Sequence, residues 1–275
     1  MGRPFLKMNG LGNDFVVVEA REGAFTPGAA DVRAIADRAG GVGCDQLIAS
    51  EPSARAEAFV RFWNADGGVT AACGNGARCV AWLLMQASGR DETRFETEAG
   101  LLTATRADGG LVTVDMGKPG LDWRDIPLAE AMDTRGIELQ VGPIDQPLLH
   151  TPGCVSMGNP HVVFFVGDVT TAPVGEIGPM IENHPLFPER TNVGFAEIKA
   201  RDRIGLRVWE RGVGETKACG TGACAALVAA CRRELTGRSA SVELLGGPLQ
   251  IDWRERDDHV LMTGPTTVEF AGTLP

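Results

Sequence analysis

The 275-residue chain lacks the features that would point to a membrane, a nucleic acid or a metal. No apolar run reaches the roughly 20 residues that a spanning helix needs. The opening Met1-Gly2-Arg3-Pro4-Phe5 leads into patterned sequence without an apolar signal segment. Basic residues are too few to balance the acids: 26 Lys and Arg against 36 Asp and Glu leave a formal charge of −10. That balance argues against nucleic acid or an anionic membrane as a main partner. Neither Cys-x-x-Cys nor His-x-x-x-His spacing occurs, so no metal site is expected. The seven cysteines form no disulfide framework, which fits a reducing, cytoplasmic compartment. With 44% hydrophobic and 23% charged residues, what remains is a soluble chain able to bury two ordinary cores.

What the sequence does contain is a repeat. Ala72-Cys73-Gly74-Asn75-Gly76-Ala77 and Ala218-Cys219-Gly220-Thr221-Gly222-Ala223 lie 146 positions apart, each opening an apolar stretch. At that offset nine of the seventeen positions from Arg61 to Ala77 are identical, with no gap. The same register sets Asn13 on Asn159, Gln46 on Asn192 and Met116 on Met262. A period this long suits two halves of one protein, not a solenoid. The expected division is 1–118 and 119–264, with 265–275 returning to the first half.

Short β runs are expected at 15–19, 58–63, 94–97, 101–105, 112–116, 162–166, 205–209, 241–245 and 260–263. Surface helices are expected at 29–39 and 174–183. The stretches 77–85 and 223–231 are apolar on nearly every side, which marks helices buried all round, with Gly89 and Gly237 as their stops. The fold class is therefore α+β: two pseudo-symmetric domains, each a mostly antiparallel sheet wrapped around a central helix with a cysteine at its N-terminus.

A helix N-terminus offers unpaired N–H groups and the positive end of a dipole, which hold a carboxylate and favour a thiolate. The glycines at 74, 76, 220 and 222 let backbone approach a ligand closely. Two equivalent bases suit a reaction in which a proton leaves one face of a carbon and returns to the other. That is racemisation or epimerisation at the α-carbon of an amino acid, with the N–H groups at Gly74, Asn75, Gly220 and Thr221 holding the carboxylate.

The motifs around Asn13, Gly43-Cys44-Asp45-Gln46, Asn64-Ala65-Asp66-Gly67, Ala72-Cys73-Gly74-Asn75-Gly76, Gly158-Asn159-Pro160-His161, Thr191-Asn192, Trp209-Glu210-Arg211-Gly212 and Ala218-Cys219-Gly220-Thr221-Gly222 together resemble those of diaminopimelate epimerases. The resemblance covers nearly the whole chain. It implies a cofactor-independent enzyme, without pyridoxal phosphate, that interconverts LL- and meso-diaminopimelate for lysine and peptidoglycan precursors. It further implies a homodimer of two-domain subunits that close over substrate. By the family pattern Cys73 and Cys219 are the acid/base pair, and the backbone at Gly74, Asn75, Gly220 and Thr221 holds the reacting carboxylate. Asn13, Gln46, Asn64, Asn159, Asn192 and Arg211 shape the pocket, and His161 and Glu210 support catalysis. Family members carry a tyrosine near the C-terminus at the dimer contact, whereas this chain has no tyrosine and places Phe270 there.

The duplication refines these roles. Similar pairs, Asn13/Asn159, Gln46/Asn192 and Cys73/Cys219, should face substrate in related ways. Asn64 opposes Glu210 and Ala65 opposes Arg211, so only the second half offers a charged pair. Glu210 is expected to meet the ammonium at the reacting centre and Arg211 the distal carboxylate. Cys79, Cys224 and Cys231 read as core, and Cys44 and Cys154 as structural. A proline racemase would share the two-thiol scheme but in a Met-Cys-Gly-His context, and a phenazine-type isomerase would share the fold without the pair. A regulatory disulfide would not need two carboxylate cradles.

Overall fold

The computed structural model describes residues 2–71 and 73–274; Met1, Pro275 and Ala72 of the first repeated motif lie outside the described residues. Contacts divide the chain into Met1–Asp115 with Thr263–Pro275, and Met116–Met262. None of the described helices is long and apolar enough to cross a membrane.

The first unit holds β1 (Arg3–Gly10), β2 (Asn13–Glu19), α1 (Ala29–Ala36), β3 (Gln46–Glu51), β4 (Phe59–Asn64), β5 (Val69–Thr70), α2 (Gly74–Ser88), β6 (Glu92–Thr97), β7 (Gly100–Arg106) and β8 (Val112–Asp115). The second holds β9 (Gln140–Val141), β10 (Leu149–His150), β11 (Gly153–Ser156), β12 (Pro160–Val166), α3 (Val174–Glu182), β13 (Asn192–Ala200), β14 (Arg203–Glu210), β15 (Gly214–Thr216), α4 (Gly220–Arg232), β16 (Ser239–Leu244) and β17 (Gly247–Trp253). The chain leaves it through β18 (Val260–Gly264) for β19 (Thr267–Leu274), which pairs antiparallel with β1.

In the first unit the β2–β3 and β4–β6 pairings are parallel, and those of β1 with β19 and β2, β3 with β4, and β6 with β7 are antiparallel. This sheet wraps α2, which packs on β1, β2, β6, β7 and β8. In the second, α4 packs on β11, β12, β13, β14, β16 and β17. The α+β class of two like halves stands, and the likeness extends to register. Phe15 faces Gln46 across a parallel pair as His161 faces Asn192, and Leu47 faces Trp63 as Val193 faces Trp209.

Local chemistry explains the element ends. Leu11 and Gly12, at φ 60° and 86°, make the two-residue hairpin that delivers Asn13 as the first residue of β2, and Gly158 at φ 87° serves the same place before Pro160. Gly89, left-handed at φ 69°, ends α2. Gly237 does not end α4: the helix stops at Arg233 in a right-handed conformation, and the Gly237 N–H bonds the carbonyl of Arg201. Helix α1 stops at Ala36, three residues early, because Asp37 turns the chain into Gly40-Gly41. Strands β1, β3, β5, β9, β10, β11, β13, β15, β17 and β19 are additions to the sequence expectation. β19 is exposed along nearly its whole length, so no buried face marks it as a strand.

Helix α3 sits close enough to β14 that a Cβ on Gly178 would lie 2.5 Å from the Trp209 ring, whereas one on Gly175 would meet nothing within 4 Å. Gly178→Ala should therefore lower stability by about 1–3 kcal/mol through overpacking. Gly175→Ala, on the same helix, should raise it by up to about 1 kcal/mol. Urea denaturation of the two variants beside the parent checks both signs.

Candidate active site

In the first unit Cys73 is the N-cap of α2, extended at φ −144° and ψ 115°, and its sulfur accepts the Gly76 N–H at 3.5 Å. An extended cap residue turns its side chain back over the orphan N–H groups of the first turn. The half-buried thiol thus sits where the helix is most positive. A Cβ on Gly76 would press on Ile48 and Phe62 at 2.9 and 3.0 Å, so this turn can lie against the sheet only as glycine.

Around it the candidate polar residues form two pairs. Asn75 Nδ2 donates to Asn13 Oδ1 at 2.6 Å, and Asn13 Nδ2 donates to Asp45 Oδ2 at 3.2 Å. Asp45 is held in turn by Arg38 at 2.7 Å. Gln46 Nε2 donates to Asn64 Oδ1 at 2.9 Å across the β3–β4 pair. Gln46 Oε1 is buried without a hydrogen-bond partner, an acceptor left for a ligand's donor.

In the second unit Cys219 caps α4 in the same extended conformation and is buried, with Thr221 Oγ1 3.6 Å from its sulfur. The Glu210 carboxylate stands near enough for its charge to act on this thiol. Burial and then the Glu210 charge push the Cys219 thiol well above its usual range; the Thr221 hydroxyl and the Gly222 N–H pull it the other way. Burial likewise raises Glu210, and the hydrogen bond from Thr216 only partly counters it. Cys219 therefore rests as a thiol.

His161 is buried beside this helix start, its Nε2 3.1 Å from Asn159 Oδ1 and 3.0 Å from Thr221 Oγ1. Because an amide oxygen only accepts, Nε2 carries the proton. Burial, with a contribution from the Arg211 charge, pushes His161 down to about 3, so the ring is neutral. Asn159 Nδ2 completes the triangle to Thr221 Oγ1 at 3.4 Å.

Asn192 and Arg211 meet through the backbone. Asn192 Oδ1 accepts the Arg211 N–H at 3.0 Å and its Nδ2 donates to the carbonyl of Pro160 at 2.8 Å. Asn192 thus staples β12 to the loop after β14, in contrast to Gln46 with its open oxygen. The Arg211 guanidinium donates through Nη1 to the carbonyl of Glu189 at 2.9 Å, leaving its other edge for a carboxylate.

Three residues that hold this site were not singled out in the sequence. Glu182, buried at the end of α3, accepts from Trp209 Nε1 at 2.7 Å, from the Gly212 N–H at 2.9 Å and from Arg190 at 3.1 Å, and so fixes the loop carrying Glu210 and Arg211. Thr216 donates to Glu210 Oε1. Arg78 donates through Nη2 to Asn75 Oδ1 at 2.9 Å. The visible signal was a charge in a largely apolar helix: Arg78 alone in α2, and Glu182, beside Glu176, in α3.

A family model for diaminopimelate epimerase matches residues 5–121 and 153–269. The diaminopimelate epimerase of Phenylobacterium zucineum is 66% identical over 275 residues, spanning 100% of this chain and 99% of the relative. That of Caulobacter vibrioides strain NA1000 is 62% identical over 283 residues, spanning 100% and 98%. Among solved structures, a PhzF-family phenazine biosynthesis protein from Enterococcus faecalis superposes with a TM-score of 0.72 at 14% identity, over 100% of both chains. A hydroxyproline epimerase from Agrobacterium vitis superposes with a TM-score of 0.68 at 16% identity, over 99% of this chain and 92% of the other. At such identities the structural neighbours share the fold alone. The full-length relatives and the family model, which matches one block in each half of the repeat, show that the chain belongs to the diaminopimelate epimerase family.

Proposed function

We propose that the chain epimerises LL-diaminopimelate to meso-diaminopimelate through Cys73 and Cys219, one thiol for each face of the α-carbon. The observation that carries this reading is the duplicated placement of the two sulfurs, each capping a buried helix at an equivalent register position. With Cys219 resting protonated beside Glu210, the thiolate in that form of the enzyme is assigned to Cys73. Cys73 takes the α-proton, the bonding pair stays on the carbon, and Cys219 delivers its own proton to the opposite face. The enzyme is then left with Cys73 as thiol and Cys219 as thiolate, and protons must be exchanged before the same direction repeats.

The carbanion-like transition state needs its carboxylate held by preorganised donors, and the N–H groups at Gly74, Asn75, Gly220 and Thr221 are assigned that work. Asn13, Gln46, Asn64, Asn159 and Asn192 are assigned to orienting the substrate, Arg211 to its distal carboxylate, and Glu210 to the proton on Cys219. His161, neutral, donates to Asn159 and Thr221 and so keeps both in place. No cofactor enters this scheme. The homodimer and the cytoplasmic location implied by the family resemblance belong to the same proposal.

In D₂O with LL-diaminopimelate and no pyridoxal phosphate, the parent should incorporate α-deuterium; Cys73→Ala should lose about 10²–10⁴-fold in rate. Exchange that survives the substitution would end the two-base reading. Arg211→Lys should weaken substrate binding by about tenfold, the scale of a charged hydrogen bond, while leaving Cys73 alkylation by iodoacetamide unchanged. A loss of thiol reactivity in its place would contradict the assignment of Arg211.

His161 also predicts a pH dependence of stability. Its folded pKa of about 3 lies below the ordinary imidazole value, so between the two the unfolded chain binds a proton that the folded chain does not. Stability should rise with pH across that window by at most about 1.4 kcal/mol per unit and level off above about pH 6.5. Urea denaturation at pH 5 and pH 7.5, parent against His161→Gln, should show this slope shrinking in the variant.

A further inference from the structure

Arg78 stands where stability alone would not place it. Its side chain is fully buried, the largest such side chain in the described residues. Burying a guanidinium is costly, and the first turns of a helix are the wrong end for a cation. The equivalent position in the second half is Cys224, a small apolar side chain that fills its place in α4 without either cost.

The hydrogen bonds show what Arg78 does. Nη2 donates to Asn75 Oδ1, which turns Asn75 Nδ2 toward Asn13 Oδ1 and Asn13 Nδ2 toward Asp45. A side-chain amide can present either end to a ligand unless its neighbours decide. Here the row Asn75–Asn13 is held by a cation at one end and by the Asp45 carboxylate at the other, so neither amide can flip without losing two bonds.

The second half solves the same problem with a different residue. Asn159 and Thr221 replace Asn13 and Asn75, and their anchor is His161 Nε2, at 3.1 and 3.0 Å. His161 corresponds to Phe15, and Arg78 to Cys224. The N–H donor that sets the amide has therefore exchanged places between helix and strand. It sits on α2 in one half and on β12 in the other, and in each case an apolar residue fills the vacated position.

We propose that Arg78 is the positioning residue of the first half, the functional counterpart of His161, and that it fixes the Asn75–Asn13 amide pair in the orientation the reaction uses. This rests on the assignment of Asn13, Asn75 and Cys73 to the substrate.

The test compares Arg78→Lys, which keeps a donor, with Arg78→Met, which has similar length and none. Each variant is measured for kcat and KM with LL-diaminopimelate and for its melting temperature. Arg78→Lys should keep kcat/KM within tenfold of the parent, and Arg78→Met should lose a further tenfold or more at a temperature where both are folded. Arg78→Cys combined with Phe15→His, which moves the second half's arrangement into the first, should recover kcat relative to Arg78→Cys alone.

Equal kcat/KM for folded Arg78→Lys and Arg78→Met would overturn the proposal. Should Arg78→Met fail to fold, Arg78→Lys decides. A value within tenfold of the parent supports the positioning role, and a greater loss, or failure of Arg78→Lys itself to fold, overturns it. These outcomes are distinct from failure of the two-thiol reading, which would appear as α-deuteration that survives Cys73→Ala.

Discussion

A helix that starts inside a protein must find partners for the N–H groups of its first turn, and this requirement organises both halves of the molecule. In α2 and α4 that turn is pressed against the sheet, with Asn75, Gly76, Gly220 and Gly222 all buried. In α2 sulfur meets part of the demand, since Cys73 accepts from Gly76; the Cys219 sulfur instead lies 3.6 Å from Thr221 Oγ1. The remaining donors suit a carboxylate, which is what an amino-acid substrate brings. Glycine where the turn meets the sheet, cysteine at the cap and a strand hairpin that aims an asparagine nearby all follow from that one geometric demand.

Within a shared frame the halves have diverged where charge is concerned. Beside Cys219 stand the Glu210 carboxylate and a neutral imidazole; the helix capped by Cys73 instead carries a guanidinium two residues beyond the last turn glycine. The backbone registers coincide, so this contrast comes from a few side chains and not from the fold. A duplicated scaffold can in this way present two like thiols and still hold them in unlike fields.

The buried helices, their cysteine caps and most central strands were legible in the sequence because each carries a local signal: an apolar stretch after Cys-Gly, or a short β-rich run between turn residues. Strands β1 and β19 were not: β19 has no buried face, and β1 is set by its pairings with both β2 and β19. The pairing of Gln46 with Asn64 and of Asn13 with Asn75 depends on strand register and on the hairpin at Leu11-Gly12, which the repeat hints at but does not fix. Glu182 and Arg78 stayed hidden for another reason. A charge on a largely apolar helix has meaning only through its partners: tertiary packing brings Trp209 and Gly212 to Glu182, and Arg78 reaches Asn75 one turn back along its own helix.

The antiparallel pairing of β1 with β19 joins residues 3–9 to residues 267–274. Synthesis runs from the N-terminus, so β1 emerges before β19 and lacks this outer neighbour until residues 267–274 have been made. The second unit, drawn from the one continuous segment Met116–Met262, has no such dependence. An exposed edge at β1 must be tolerated for that interval, guarded by Arg3 and Pro4 at its start, residue types that discourage pairing with foreign strands.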